Sequence, residues 1–101
     1  MTIRHQRAWD YMRHYLGLQI NLMRLARGWN VERLAKESGV SARVIRALEN
    51  GKVDAATILT LTRLAKAFDV AAFVHMESFG KSLVAHYGLD ATRNFEERKE
   101  A

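Results

Sequence analysis

The sequence predicts a mainly α fold: a bundle of about five short helices with one short strand near the C-terminus. Two observations carry this. There is no proline among the 101 residues, so the breaks fall to Gly17, Gly28, Gly39, Gly51, Gly80 and Gly88. Between the breaks, apolar residues recur at helical spacing, and Asn, Ser or Asp stands at several starts. Hydrophobic residues at 49% and charged residues at 27% give a globular balance, and the length suits one domain.

Residues 3 to 27 form an extended first helix that Gly28 terminates. Asn30 caps a second helix over 31 to 38, because its side chain accepts from the unpaired amides of the first turn. Gly39 ends that helix. Ser41 caps a third over 42 to 50, closed by Gly51 in the left-handed conformation. Asp54 is placed as the cap of a fourth helix running to Phe68, with Ile58, Leu61, Leu64 and Ala65 on its inner face. Residues 71 to 76 are too short for a helix and read as a strand. Residues 81 to 93 form a further short helix and 94 to 101 a charged tail. The chain therefore divides into 1–70, a domain with an extended first helix; 71–93, a C-terminal dimerisation segment; and 94–101.

Composition narrows the chemistry. Sixteen Lys+Arg against eleven Asp+Glu leave a formal charge of +5, which favours a polyanionic partner. The excess lies at the front: residues 1 to 27 carry net +4 and residues 77 to 101 net −1. With no cysteine there is neither a disulfide framework nor a thiolate site. His5, His14, His75 and His86 share no metal-ligand spacing, so no metal and no cofactor is expected. Nor is there a nucleophile elbow, a Gly-rich phosphate loop or a paired-carboxylate arrangement, and the chain is read as no enzyme. The apolar runs are short and broken by charge, which excludes a membrane span and gives a cytoplasmic expectation.

The informative stretch is WNVERLAKESGVSARVIRALENGK, residues 29 to 52. Two short helices joined around Gly39 need a small residue where they cross, Ala35, and a residue tolerant of positive φ in the turn, Gly39. Leu34, Val40, Ile45 and Leu48 fix the angle between them. This is the pattern of a helix-turn-helix.

The segment from about Ile20 to Val70 resembles the Xre/Cro/phage-repressor family on Arg24, Leu34, Ala35, Gly39, Val40, Ser41, Ile45, Leu48, the tripeptide Glu49-Asn50-Gly51 and the run 64 to 67. The resemblance covers about half the chain. It implies a lambda-repressor-like bundle, and a bridge between Arg24 and Glu49. It also implies a DNA-binding transcriptional regulator that acts as a homodimer on an inverted-repeat operator, most simply as a repressor. The alternative is an antitoxin or adaptor whose main task is to bind a toxin partner. Val31 stands where many members of the family carry glutamine.

The third helix would enter the major groove of double-stranded DNA. Arg43 and Arg46 suit guanine or phosphate, while Ala42 and Ala47 can only contact thymine methyls or make no contact. Asn30 and Val31, at the start of the second helix, suit phosphate through their amides, and Ser41, Asn50 and Lys52 are placed on phosphate as well. For Lys52 the alternative is a solvated turn residue.

The first helix carries two apolar stripes whose centres lie about 140° apart at 100° per residue. Trp9, Met12, Leu16, Ile20 and Met23 are expected to face the core. Tyr11, Tyr15, Leu18, Leu22 and Leu25 form the second stripe, which either receives the C-terminal segment or makes a subunit interface. Between the two routes to a dimer, antiparallel pairing of residues 71 to 76 is the one expected.

Overall fold

The computed structural model describes residues 1–54 and 56–79. Among the described residues four helices follow one another: α1 (Ile3–Ala26), α2 (Val31–Ser38), α3 (Ala42–Glu49) and α4 (Ile58–Ala67). Each begins on a side chain that caps it. Thr2 accepts from the His5 amide, Asn30 from Arg33, Ser41 from Val44 and Thr57 from Thr60. Helix α4 therefore starts at Thr57 and not at Asp54. Asp54 sits in a turn whose Ala56 amide donates to the Val53 carbonyl at 2.9 Å, and the chain turns helical only beyond it.

The turn between α2 and α3 is closed by Gly39 at φ 76°, a left-handed conformation that a Cβ would disfavour. The Ser38 hydroxyl donates to the Leu34 carbonyl at 2.7 Å and accepts from the Val40 amide at 3.1 Å, so the corner is held from both sides. Helix α4 ends on Asp69, which takes a positive φ of 56°. The Val70 amide reaches back to the Ala65 carbonyl, as in a Schellman closure.

Ile20, Leu34, Val40, Ile45, Leu48, Leu64 and Phe68 form the buried cluster. It lies where the C-terminal half of α1 meets the other three helices. Trp29 covers one side and stacks on Phe68, with centroids 6.1 Å apart. Arg27 donates from Nη2 to the Phe68 carbonyl, joining the end of α1 to the end of α4.

Several expectations need correcting. Of the first α1 stripe, Leu16, Ile20 and Met23 reach the core, whereas Met12 is exposed and Trp9 half-buried. The reason is length: α1 has 24 residues, about 36 Å at 1.5 Å per residue, and the short helices span only part of it. Ile58, placed on the inner face of α4, is 71% exposed. Residues 71–76, expected as a strand, form none among the described residues. No ladder partner for this segment stands among the described residues, and residues 70–74 border an apolar groove with Leu16, Ile20, Met23, Leu61 and Leu64. The chain then returns to the start of α1, where Phe79 lies edge-on to His5 and under the Arg4 guanidinium. The expected helix over 81 to 93 and the tail over 94 to 101 lie outside the described residues.

Gly17, counted with the glycine breaks but lying inside the helix expected over 3 to 27, is buried in the middle of α1. A Cβ built there would stand 2.4 Å from the Leu48 carbonyl oxygen and 3.1 Å from that of Glu49. Glycine is required because the C-terminal end of α3 presses against the backbone of α1.

Candidate nucleic-acid interface

Helix α3 buries Ile45 and Leu48, and this orientation fixes what faces outward. Arg43 and Arg46 are exposed on its surface, and Ala42 and Ala47 are half-buried at its flanks. The Ser41 hydroxyl is engaged as the cap of α3, accepting from the Val44 amide at 3.2 Å. Asn50 closes α3, its amide donating to the Arg46 and Ala47 carbonyls. Asn50 and Lys52 are exposed beyond that end.

At the start of α2, the Asn30 side chain accepts from the Arg33 amide at 2.7 Å. The Val31 side chain is turned inward and packs on the core. Only the backbone of Val31 is therefore directed to the helix end, where first-turn amides have no partner within the helix.

The two helix-3 arginines differ. Arg46 donates from Nη2 to Oε1 of Glu32 on α2, whereas no ion pair among the described residues includes Arg43. The sequence reading treated them alike, and the i, i+3 spacing of helix 3 holds no sign of a carboxylate arriving from another helix.

A row of α1 side chains holds α3 in place. Arg24 donates from Nε to Glu49 Oε2 at 2.8 Å and from Nη2 to Oε1 at 2.9 Å, and its Nη1 reaches the Trp29 carbonyl. Both partners of the ion pair are close to buried, with 12% and 10% of their side chains exposed. Asn21 donates to Glu49 Oε1 at 2.8 Å, and Arg13 reaches the Gly51 carbonyl at 3.3 Å. Arg13, Gly17, Asn21 and Arg24 thus lie along one face of α1 against the end of α3. Arg13, Gly17 and Asn21 were missed in the sequence, though their spacing of four, four and three is a helical signal.

Burial pushes the Glu49 carboxyl up, but the hydrogen bonds from Arg24 and Asn21 and the charge of Arg24 outweigh it, and the group lies below the usual carboxylate range. Arg24 is correspondingly raised, chiefly by its hydrogen bond to Glu49.

Two short helices, a left-handed glycine corner and an exposed basic face on the second helix are thus in place. The helix-turn-helix family model matches residues 20–73, more than half of the chain. The chain belongs to the helix-turn-helix family. It is of the Xre/Cro type, a DNA-binding regulator of transcription. No curated protein and no solved structure matches it. Helix-turn-helix domains of this kind are typically non-enzymatic, and no described helix is long and apolar enough to cross a membrane.

The helix-turn-helix match begins within α1 and ends in the segment beyond α4. The N-terminal part of α1 lies outside it, yet that part supplies Arg13 and Gly17 to the end of α3.

Proposed function

We propose that the protein is a repressor that binds an inverted-repeat operator as a homodimer, with α3 of each subunit in the major groove. The observation that carries this reading is the exposed Arg43 and Arg46 on a helix whose opposite face is locked into the core. A groove-reading helix has to be held rigidly from behind, and α1 holds this one through Glu49 and Gly17. In this reading Arg43 and Arg46 meet base edges, and Ala42 and Ala47 meet thymine methyls or nothing. The amides of Asn30 and Val31, together with Ser41, Asn50 and Lys52, take phosphates and set the register.

Selection from a random duplex pool tests the proposal. The expected outcome is an inverted repeat with half-sites about 34 to 36 Å apart, or a multiple of that. Arg43→Ala should then cost about 1 to 3 kcal/mol and relax preference at one base pair of each half-site. Uniform weakening across all sequences assigns Arg43 to phosphate. No effect from Arg43→Ala and Arg46→Ala together means that α3 does not read the groove.

A further inference from the structure

Glu32 is an acid in an unexpected place. It lies in the first turn of α2, beside the amides assigned above to phosphate, and 63% of its side chain is exposed. A carboxylate there is compatible with the positive end of a helix, but it repels the anion that a duplex would bring. Its carboxyl lies below the usual range: its own backbone amide, and then the Arg46 guanidinium and charge, outweigh desolvation. The group is therefore ionised at neutral pH. Its Oε1 accepts from Arg46 Nη2 on the outward face of α3.

An exposed ion pair of this kind adds little to folding stability, so its consequences lie in recognition. Arginine serves protein–DNA contacts in two ways, as a clamp on any phosphate or as a fork on the O6/N7 edge of guanine. The first use carries no sequence information. A carboxylate on one side of the guanidinium disfavours a phosphate near it, fixes the plane of the fork and leaves the other N–H donors for a base. Arg43, which no described carboxylate engages, has no such restraint.

We infer that Glu32 determines specificity: held against Arg46, it prevents that arginine from acting as a phosphate clamp and orients its remaining donors toward a guanine edge. This rests on α3 being the groove-reading helix. Glu32 is a positioning residue in this scheme, acting on DNA through Arg46.

The full chain is titrated by fluorescence anisotropy with the selected duplex and with a scrambled duplex of equal length, from about 50 to 200 mM salt. Wild type, Glu32→Gln, Arg46→Met and the double variant are compared. Glu32→Gln should bind the scrambled duplex more tightly, with a slope of log K on log salt steeper by about 0.9, one added phosphate contact. Its ratio of specific to scrambled binding should fall about fivefold or more, the low end of what one base contact is worth. In the Arg46→Met background the same substitution should leave the slope unchanged. The melting temperature of Glu32→Gln, unmoved for so exposed a pair, keeps loss of fold out of the comparison. Sequence-specific binding by wild type with an unaltered slope and ratio in Glu32→Gln overturns the role of Glu32 alone. A wild type with no sequence preference overturns the groove reading and this inference with it.

Discussion

Removing the Glu49 carboxylate takes the acceptor from Arg24 and Asn21 at once. Arg24 keeps its bond to the Trp29 carbonyl, but its charge is left close to buried without a counter-ion. Glu49→Ala should therefore destabilise the fold by about 3 kcal/mol, the lower end for breaking a buried pair, and weaken DNA binding because the end of α3 loses its anchor. Thermal melting checks the first effect and anisotropy the second. The pair also sets a pH dependence. The folded carboxyl lies below its ordinary value, so its contribution is fully present above the unfolded value of about 4.3. It is lost as pH falls from there through the folded value. Melts between about pH 6 and 3 should show wild type losing stability over that window more steeply than Glu49→Gln, which has no proton to take up. Equal acid sensitivity in the two would show that other carboxylates govern the loss. The bridge itself was legible because an arginine and a glutamate stand at positions the family resemblance pairs. Asn21 and the Trp29 carbonyl were not, since a neutral amide and a backbone oxygen leave no mark in a charge pattern.

Among the elements, the helices were legible and their outer limits less so. The Asn30 and Ser41 caps and the Gly39 corner are local chemistry, decided within three or four residues, and sequence contains all of it. The start of α4 was misplaced because Asp54 and Thr57 are both competent caps. The turn over 53–56 decides between them. Gly17 shows the opposite limit. Inside a helical run a glycine reads as a break or a weakness, and its use here is set by carbonyls of another helix. The choice can be tested because the two effects have opposite signs. Gly17→Ala gains up to about 1 kcal/mol of helix propensity, while a Cβ 2.4 Å from a carbonyl oxygen forces α1 and α3 apart. Overpacking of this kind costs about 1 to 3 kcal/mol, and the contact is with backbone, which cannot rotate away. A lowered melting temperature is expected, accompanied by weaker DNA binding as the Arg24–Glu49 bond lengthens. A raised one would mean that the two helices lie farther apart in solution.

At the scale of the whole molecule the proposed function turns on assembly, because one helix-turn-helix covers only a few base pairs and the proposed two-fold dimer would supply the second half-site. Two of the exposed apolar surfaces among the described residues are the candidates. On α1, Leu18, Leu22 and Leu25 are each more than half exposed, and beyond α4, Phe73, Val74 and Met76 are 86%, 69% and 98% exposed. The second carries a further demand. Residues 71–76 form no ladder among the described residues, so their backbone N–H and C=O groups as well as their side chains would gain from a symmetry mate laid antiparallel across a two-fold axis. Sequence could propose a strand there from the apolar run, but a ladder needs a second strand, and none lies among the described residues. Truncation after Val70 should accordingly give a folded monomer, since every residue of the buried cluster is retained, with DNA binding weakened by loss of the second half-site. Leu18→Glu should remain dimeric, because an exposed glutamate on α1 lies away from the contact if residues 71–76 make it. Light scattering on the two variants separates the alternatives. A truncated chain that is still dimeric, or a monomeric Leu18→Glu, moves the interface to α1 and makes its leucine row the surface that brings two recognition helices into register on the operator.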